Sequence, residues 1–341
     1  MLQRRVKSPP RPIIGCEMRI REKTPRALEI GMRLTGAAVM ASLAVCAAAV
    51  SAQDAPRDAG TAITPQADVI KIFDGRSLDG LYTWLEDSKY EDKRGVFQVV
   101  DGVLRVSGDG LGAVVTRDRY RDYHLVLEYK WGGATWRERE QCARDSGLLI
   151  HSNGAEGGYH GTWMPSLEVQ IIEGGVGDFI MVSGPDEQGR LAPMSITCEA
   201  VSVNKDEVKW KKGAPQATYE APHCPRINWY GRDPDWKDVL GFRGADDPDS
   251  PGDKWTRLDV VCDGGHVQTF VNGVLVNEAF GVTPHAGKLQ LQSELAEILV
   301  RRWELWPLAQ APRPQPAEQE TPTAKSTRSS QNEFSGKQSE R

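Results

Sequence analysis

Hydrophobic and polar residues alternate through most of the chain between residues 69 and 307, and this period of two is typical of β-strands. In residues 123–131, Tyr, Leu and Trp take every second position, and the positions between them are mostly polar. Such a strand packs one face on a core and leaves the other face open. Asp101-Gly102 and Asn272-Gly273 are turn sequences typical of β-hairpins. Because long helical periodicity is absent, the pattern predicts an all-β, two-sheet antiparallel jelly-roll sandwich.

Composition divides the chain into one folded body and its ends. The β-rich segments fill residues 69–307, a length that suits one large all-β domain. Residues 53–68 have the composition of a linker, and residues 308–341 are rich in Pro, Gln, Ser, Thr and charge, which predicts a disordered tail. Within the body, residues 203–254 form an insertion rich in Pro, Gly, Asp and aromatic residues. It can be a lid over a site or a long coil anchored on the sandwich.

Residues 166–175 hold the most informative strand. In a regular strand, Glu168 and Gln170 face one side and Glu173 faces the other. A β-bulge near residues 171–172 would bring Glu173 onto the side of Glu168 and Gln170. We therefore expect two carboxylates around an amide, a set that can bind sugar hydroxyls and act as acid and base or nucleophile. The alternative is an edge strand whose polar residues only face water.

A second predicted strand begins beside Asp145 and ends in His151, and we expect it to lie next to Glu168. His151, Asp145 and Glu168 are then candidate ligands of a divalent cation, with His160 as a fourth candidate. The alternative is that His151 forms hydrogen bonds within a loop mouth and binds no metal. His124 alternates with apolar residues and is expected at the surface.

Residues 153–165 form a loop between these two strands. Its glycines allow mobility, while Tyr159 and Trp163 offer flat faces on which a sugar ring can stack, and His160 lies between them in the sequence. The alternative is that Trp163 packs over an end of the sandwich.

A further polar row is predicted near the end of the body. Gln290, Gln292 and Glu294 alternate with apolar residues, so the three share one strand face. We expect Gln292 and Glu294, together with Gln170, to contact the substrate.

Residues 32–52 fit a signal peptide. Met32 starts a short basic region, residues 36–50 are apolar, and small residues precede a predicted cleavage after Ala52. The apolar stretch is short for a membrane span, which needs about 20 residues. Leu-Ala-Val-Cys ending at Cys46 is similar to a bacterial lipobox, so a lipoprotein anchor is the alternative. We expect Met32 to be the true start and the protein to be exported to the periplasm or the medium.

Cleavage makes the chain more acidic, since 33 Lys and Arg then remain against 44 Asp and Glu. An acidic chain without basic clusters argues against nucleic acid or anionic membranes as partners. Four cysteines remain, Cys142, Cys198, Cys224 and Cys262, and oxidation can pair them in three ways. A Cys198–Cys224 disulfide is the preferred pairing because it would close a Pro-rich loop. No C-x-x-C pattern indicates a structural zinc site.

Several stretches in sequence order resemble the 3-keto-disaccharide hydrolase domain family, and the resemblance covers about residues 70–307. The stretches are residues 72–80, 145–151, 168–173, 255–264, 271–277, 287–294 and 296–298. The resemblance implies a concanavalin A-like jelly roll of the lectin/glucanase type, an exported location, and cleavage or binding of oxidised glycosides. The chain departs from the family at Asp145, His151 and Glu173, where Asn, Arg and Asp are often found.

Laminarinase-type hydrolases share this jelly roll and carry Glu-x-Asp-x-x-Glu, whereas residues 168–173 read Glu-x-Gln-x-x-Glu. The amide weakens an ordinary retaining mechanism, because the central acid helps hold the two glutamates in different protonation states. A 3-keto sugar needs easier chemistry: a base removes the acidic proton beside the ketone, the glycosidic oxygen leaves, and water adds to the alkene. We expect Glu168 or Glu173 to be the base and the other to be the acid, with Asp145 and His151 beside them.

The leading hypothesis is therefore an exported carbohydrate-active enzyme, a hydrolase or a lyase and hydratase, that cleaves 3-keto-glycosides. The alternatives are a non-catalytic lectin-like carbohydrate-binding module and an ordinary retaining glycosidase. The Gly-rich residues 174–178 lack the strand-to-helix context of a dinucleotide site. A separate sugar-oxidising enzyme would then have to make the keto substrate.

Overall fold

The computed structural model describes residues 61–319, which form eighteen β-strands and two short 3₁₀ helices. The strands are β1 (Ile70–Phe73), β2 (Leu81–Leu85), β3 (Phe97–Val100), β4 (Val103–Val106), β5 (Leu111–Thr116), β6 (Tyr123–Thr135), β7 (Asp145–Ser152), β8 (Ser166–Ile172), β9 (Phe179–Val182), β10 (Ser195–Ser202), β11 (Glu207–Trp210), β12 (Gln216–Glu220), β13 (Arg226–Asn228), β14 (Thr256–Asp263), β15 (His266–Val271), β16 (Val274–Thr283), β17 (Lys288–Glu294) and β18 (Ala296–Trp306). The helices are Arg137–Arg139 and Leu308–Gln310. The predicted all-β class is confirmed.

The first of two main sheets, the back sheet, is built around β18. This strand pairs with β6 along one edge and with β1 and β4 along the other, and β3 extends the sheet beyond β4. On the far side of β6, the strands β14, β15 and β16 follow in order. All of these pairings are antiparallel.

The second sheet, the front sheet, has the order β2, β5, β17, β7, β8, β9, β13 and β11. Its pairings are antiparallel except the one between β11 and β13. β10 pairs with β11 of the front sheet and with β16 of the back sheet, so it joins the two sheets at one side.

Every second side chain of each sheet enters a shared core. Leu125 and Leu127 of β6, Leu148 and Ile150 of β7, and Trp303 of β18 are fully buried there. Burying an aliphatic side chain of this size contributes about 1.5–3 kcal/mol. Because side chains alternate along a strand, the residues between these core positions point out of the sandwich.

The outer face of the back sheet carries a buried ionic network. His124 Nε2 lies 2.7 Å from Asp259 Oδ1, and Arg257 donates hydrogen bonds of 2.9 and 2.7 Å to the two Asp259 oxygens. All three side chains are buried. The prediction that His124 lies at the surface is wrong, because its carboxylate partner on β14 is not apparent from alternation along β6.

The insertion at residues 203–254 is neither a simple lid nor an irregular coil. It supplies β11, β12 and β13 to the sheets, and a later part of it is anchored beside the end of β8. There, Trp236 Nε1 donates to the Glu173 carbonyl oxygen at 2.8 Å, and the Gly241 N–H donates to Glu173 Oε2 at 2.7 Å. The insertion therefore borders the front sheet.

Residues 308–319, which the sequence predicts to be disordered, contact the folded body. Ala317 is buried, and Gln319 Nε2 donates to the Trp255 carbonyl oxygen at 2.9 Å. The predicted disorder is wrong for this stretch, and residues 320–341 lie outside the described residues.

The expected Cys198–Cys224 disulfide is not formed, and both residues are free thiols. Cys198 lies in the main core and Cys224 packs against it. Burial raises the pKa of Cys198 to about 11 and that of Cys224 to about 12, so both stay protonated at neutral pH. They act as small apolar core residues.

The predicted signal peptide and the lipobox-like sequence at Cys46 lie outside the described residues. Within residues 61–319, every helix is too short to cross a membrane.

Candidate active site

The outer face of the front sheet carries a polar band across three adjacent strands. Leu289 and Leu291 of β17 point into the core, so the residues that alternate with them point outward, and the same holds on β7 and β8. The outward residues of the band are Gln290, Gln292 and Glu294 of β17, Asp145 and Gly147 of β7, and Glu168 and Gln170 of β8.

Three carboxyl groups of this band, Asp145, Glu168 and Glu294, form what we call the acidic cluster. Their exposed fractions are only 3%, 5% and 6%, although they point away from the core. The three lie close enough to interact electrostatically. Asp145 raises the pKa of both other carboxyls, and Glu168 raises that of Glu294. Strand register pairs Glu168 with Leu149, four residues along β7 from Asp145, so the Glu168 side chain reaches toward the other two carboxyls over Gly147.

Gly147 makes room for this arrangement. A Cβ atom at this position would lie 2.3 Å from Glu168 Oε1 and 2.4 Å from Gln292 Oε1. Contacts this short are not tolerated in packed proteins, so a larger residue would displace one or both side chains. Glu168 and Gln292 can therefore approach each other above β7 only because residue 147 has no side chain.

Arg139 faces the acidic cluster from the first 3₁₀ helix. Its guanidinium pairs with Asp145 and lies 4.0 Å from Glu294 Oε1. It also lies 3.4 Å from Asp238 Oδ1, and that oxygen accepts a 2.9 Å hydrogen bond from the Ala143 N–H. The insertion thus reaches the cluster through Asp238.

Arg226 of β13 faces the cluster from the opposite side. It donates to Asp178 Oδ2 at 2.8 Å, and its charge lowers the pKa of both Asp145 and Glu168. Arg232 pairs with the same Asp178 oxygen. Asp178 is fully buried and also accepts a 2.7 Å hydrogen bond from the Trp229 N–H, so it fixes the position of Arg226.

Carboxyl groups outnumber arginines in this region. Three arginines, Arg139, Arg226 and Arg232, serve five carboxyl groups, Asp145, Asp178, Asp238, Glu168 and Glu294. Buried like charges that cannot all be paired retain protons instead. At least one carboxyl of the acidic cluster therefore holds a proton near neutral pH.

The pKa shifts follow from this imbalance. Burial, with a smaller contribution from Asp145, raises the pKa of Glu168 to about 8, so Glu168 is mostly protonated at pH 7. Burial and Asp145 raise the pKa of Glu294 well above its ordinary value. Burial also raises the pKa of Asp145, but its ion pair with Arg139 opposes the rise. Asp145 is thus the member best placed to carry the negative charge.

Several polar atoms on this face are buried without a hydrogen-bond partner among the described residues. They are Asp145 Oδ1, both amide atoms of Gln292, and Asn228 Oδ1. Asn228 shares this outer face because Ile227, beside it on β13, lies in the core. An unpaired buried polar group costs about 1–3 kcal/mol, so such groups on one face indicate a site for a polar ligand.

The structure does not bring Glu173 together with Glu168. The pairing of β7 with β8 is continuous from Asp145 to Ile150, so the bulge expected near residues 171–172 is absent. The Glu173 carboxylate instead accepts hydrogen bonds of 3.0 and 2.6 Å from the Arg144 N–H and guanidinium. With its bond to the insertion, Glu173 is an anchor at the end of β8.

A bulge occurs in β7 instead. Lys288 pairs with Ser152 and Gln290 with Leu149, so two residues of β7 oppose one residue of β17. His151 is one of these two, has a φ of 53°, and points into the core, where its ring lies 6.0 Å from that of Tyr123. Burial lowers its pKa to about 4. His151 is therefore not beside the acidic cluster.

This placement separates the expected metal ligands. His151 lies on the core side of the front sheet, while Asp145 and Glu168 lie on the outer side. Among residues 61–319, no group of three or more His, Cys, Asp or Glu side chains is arranged to hold a metal ion. The expected ligand set of His151, Asp145 and Glu168 therefore does not fit the structure.

Residues 153–165 form a loop that lies on the outer face of the front sheet. Trp163 is buried and donates from Nε1 to the Gly112 carbonyl oxygen at 2.9 Å, and Tyr159 stacks on it with ring centroids 6.0 Å apart. His160 packs edge to face on Tyr159. Burial raises the pKa of Tyr159, with smaller contributions from Glu168 and Glu294. Tyr159 therefore borders the acidic cluster, whereas Trp163 is a packing residue beneath Tyr159.

Two members of the polar band have partners that hold the backbone. Gln290 Nε2 donates to Ser152 Oγ at 2.8 Å and to the Met164 carbonyl oxygen at 3.3 Å, and so fixes the 153–165 loop. Gln170 Oε1 accepts from the Ile171 N–H at 2.8 Å. Gln292 has no such backbone partner, and its amide lies beside Glu168, whose pKa it lowers.

Sequence reasoning missed Arg139, Arg226, Asp178 and Asp238. None of them lies in the strands whose polar alternation draws attention, and each comes from a 3₁₀ helix, a turn or the insertion. The weak available signal is that buried carboxylates require cations nearby. That requirement does not say which arginine supplies them.

Residues 68–305 match the family model of the 3-keto-alpha-glucoside-1,2-lyase-like domain. No curated protein matches the chain significantly. Among solved structures, the chain is similar to a glycosyl hydrolase candidate from Parabacteroides distasonis, with 17% identity, 70% of this chain and 94% of that chain covered, and a TM-score of 0.40. It is also similar to LamAcat from Zobellia galactanivorans, with 8% identity, 66% and 90% covered, and a TM-score of 0.34. For the carbohydrate-binding module CBM66 from Bacillus subtilis the values are 11%, 59%, 83% and 0.31.

These TM-scores are too low to support any inference about activity. The family match is different, because it covers more than half of the chain and includes the whole acidic cluster. The chain therefore belongs to the family of 3-keto-alpha-glucoside-1,2-lyase-like domains.

Proposed function

We propose that this protein is an exported enzyme that cleaves 3-keto-glycosides by elimination across C1 and C2 of the oxidised sugar, followed by hydration. The observation that carries the proposal is the acidic cluster, in which Asp145 pairs with Arg139 while burial and Asp145 raise the pKa of Glu168 to about 8. Such a pair can remove one proton and donate another in the same site.

The chemistry needs three protein groups. A base takes the proton from C2, which is acidic because C2 lies beside the C3 ketone. A cation stabilises the negative charge that develops on the ketone oxygen. An acid gives a proton to the glycosidic oxygen as its bond to C1 breaks and the double bond forms between C1 and C2.

Members of the site fit these roles. Asp145, which is paired with Arg139, is the base, and Glu168, whose pKa is about 8, is the acid. Arg139 and Arg226 supply positive charge for the ketone oxygen, and the Gln292 amide, beside Glu168, can contact the sugar hydroxyls. Addition of water to C1 then returns a free 3-keto sugar. A separate oxidation must supply the keto substrate.

The structure removes the Glu168–Glu173 pair that an ordinary retaining glycosidase would have used here. That mechanism needs two carboxyl groups about 5–5.5 Å apart on opposite sides of the bond, one of which attacks C1. Glu173, the expected partner of Glu168, is instead bonded to Arg144 and to the insertion. The family's description as lyase-like agrees with elimination.

The test is turnover of a matched substrate pair by the purified chain. A 3-keto-glucoside and its unoxidised parent are incubated separately, and the released alcohol is measured. We expect release from the keto compound alone, together with a transient ultraviolet absorbance from the conjugated product of elimination. Cleavage of both compounds would indicate an ordinary glycosidase. Binding without cleavage of either would indicate a lectin-like module.

A further inference from the structure

An aromatic patch lies at the β2 edge of the front sheet, beyond the acidic cluster. We define it as Tyr82, Trp84 and Tyr90. The Trp84 and Tyr90 rings pack edge to face with centroids 5.0 Å apart, and the Tyr82 ring lies 6.1 Å from that of Tyr90. Leu81 and Leu85 point into the core, so Tyr82 and Trp84 point outward on the same face as the acidic cluster.

Strand register gives the distance from the patch to the cluster. Trp84 pairs with Ala113 of β5, and Ala113 pairs with Gln292 of β17. Because neighbouring strands are about 4.8 Å apart, Trp84 lies about 10 Å from Gln292 along the sheet. Gln292 in turn approaches Glu168 above Gly147. A second sugar ring, linked to one that lies on the acidic cluster, would therefore reach the patch.

The 153–165 loop joins the two places. Trp84 Nε1 donates to the Gly161 carbonyl oxygen of this loop at 3.3 Å. Two residues earlier, Tyr159 borders the acidic cluster. The loop is fixed to the sheet because Tyr82 donates to Glu156 and accepts a 2.9 Å hydrogen bond from Lys288. The aromatic patch and the cluster thus lie along one continuous wall.

The patch has the chemistry of a sugar platform. Tyr90 is 46% exposed, and Trp84 is half-buried. Lys89 Nζ lies 4.9 Å from the Trp84 ring centre, and Glu156 is close enough to raise the pKa of Tyr90. The apolar face of a sugar ring packs on an aromatic side chain, while its hydroxyls need charged or polar partners at the rim.

We infer that the aromatic patch binds the leaving-group sugar, the ring that is released when the glycosidic bond breaks. The inference rests on the proposed function and extends it, because it makes the patch a determinant of specificity. Glycosides with a second sugar ring contact Tyr90 and Trp84, and glycosides with a small leaving group do not reach them.

The test compares Tyr90→Ala with a matched control, Tyr230→Ala. Tyr230 in the insertion is also 46% exposed and also packs edge to face on a tryptophan, with centroids 5.4 Å apart. The value of kcat/KM is measured for a 3-keto-disaccharide and for methyl 3-keto-glucoside. We expect Tyr90→Ala to lower it about two- to tenfold for the disaccharide alone, the size of one aromatic contact. Tyr230→Ala should change neither value.

Equal losses on both substrates, or no loss on either, would overturn the inference. Phenyl 3-keto-glucoside serves as a third substrate. If Tyr90→Ala lowers kcat/KM for this compound but not for the disaccharide, the inference is also overturned, because the patch would then select an aromatic group. If the wild-type chain cleaves neither compound, the proposed function fails, and calorimetric binding of the same compounds tests the patch separately. Tyr90→Ala should then weaken binding of the disaccharide about two- to tenfold and leave the methyl glycoside unchanged.

Discussion

Buried charges occur on the outer faces of both sheets, but the two regions satisfy them differently. On the back sheet, Asp259 bonds to His124 and Arg257 through both of its oxygens, at 2.7–2.9 Å. On the front sheet, Asp145 and Gln292 keep buried polar atoms without a partner among the described residues. The back network is closed, and the front one is open.

The difference separates a structural role from a binding role. A closed network has no free polar atom to which a ligand can bond. Its members stabilise the fold, because removal of one leaves the other charged groups buried without a partner. An open network with excess carboxyl groups destabilises the empty fold, so it is expected where a ligand completes it. The two regions therefore predict opposite results when one carboxylate is replaced.

Glu168→Gln should give the largest effect, a loss of about 10²–10⁴-fold in kcat on a 3-keto-glycoside, because the proton donor to the leaving oxygen is removed. The amide keeps the size of the side chain. Steady-state kinetics on the purified variant measure the loss.

The stability of the same variant is the control. Because Glu168→Gln removes a buried acid from a crowded cluster, its free energy of unfolding at pH 8 should equal or exceed that of the wild type. Retention of more than a tenth of the wild-type kcat would contradict the acid role assigned to Glu168.

Asp259→Asn should lower the stability of the protein and leave its kcat unchanged, the opposite of Glu168→Gln. It leaves Arg257 buried without its counter-ion, which typically costs about 3–5 kcal/mol in free energy of unfolding. Urea denaturation measures this loss, and kcat per folded molecule should stay at the wild-type value. A stable variant, or one with impaired kcat, would remove the distinction between the two sheets.

The sequence could predict the strands of both regions, because alternation is a local signal. It placed Gln290, Gln292 and Glu294 on one face, and the structure has them there. It failed where one residue of register decides the side. His151 turns into the core because the extra residue is in β7, and Glu173 leaves the outer face because β8 has none.

The cations of the site could not be predicted for a different reason. Arg139 and Arg226 approach Asp145 from segments that lie far from each other in the chain, and no local pattern marks them. Alternation along β6 likewise placed His124 at the surface, because nothing near it in the sequence indicates its partner, Asp259. Long-range pairing decides the cases of Arg226 and His124, whereas Arg139 lies only six residues from Asp145 but in a 3₁₀ helix outside the alternating strands.

The pH dependence of stability sharpens the comparison further. The pKa of Glu168 is raised from an ordinary value of 4.5 to about 8, so the folded state binds more protons than the unfolded state between these values. Stability should therefore fall as pH rises from about 4.5 to about 8. Urea midpoints at pH 5 and pH 8 should show a smaller drop in Glu168→Gln than in the wild type. Asp259→Asn should retain the wild-type drop, and equal drops in all three proteins would refute Glu168 as the source of the pH dependence.

Asp238→Asn should give the smallest effect, since Asp238 lies outside the acidic cluster and its charge is a minor influence on the pKa of Asp145. Its charge raises the pKa of Asp145, so removal of that charge lowers this pKa. Asn can still accept the hydrogen bond from the Ala143 N–H, which keeps the backbone before β7 in place. A base with a lower pKa stays ionised in more acidic solution, so the acid limb of the pH profile of kcat/KM should move to lower pH.

Asp246→Asn is the matched control for this variant, because Asp246 lies in the same insertion and is exposed. Its pH profile should coincide with that of the wild type. If the acid limb of Asp238→Asn moves to higher pH, the loosened Arg139 outweighs the lost charge, and Asp238 then acts mainly by holding the arginine. If both variants move alike, the shift reflects only the less negative net charge of the protein, and the insertion has no specific influence on the acidic cluster.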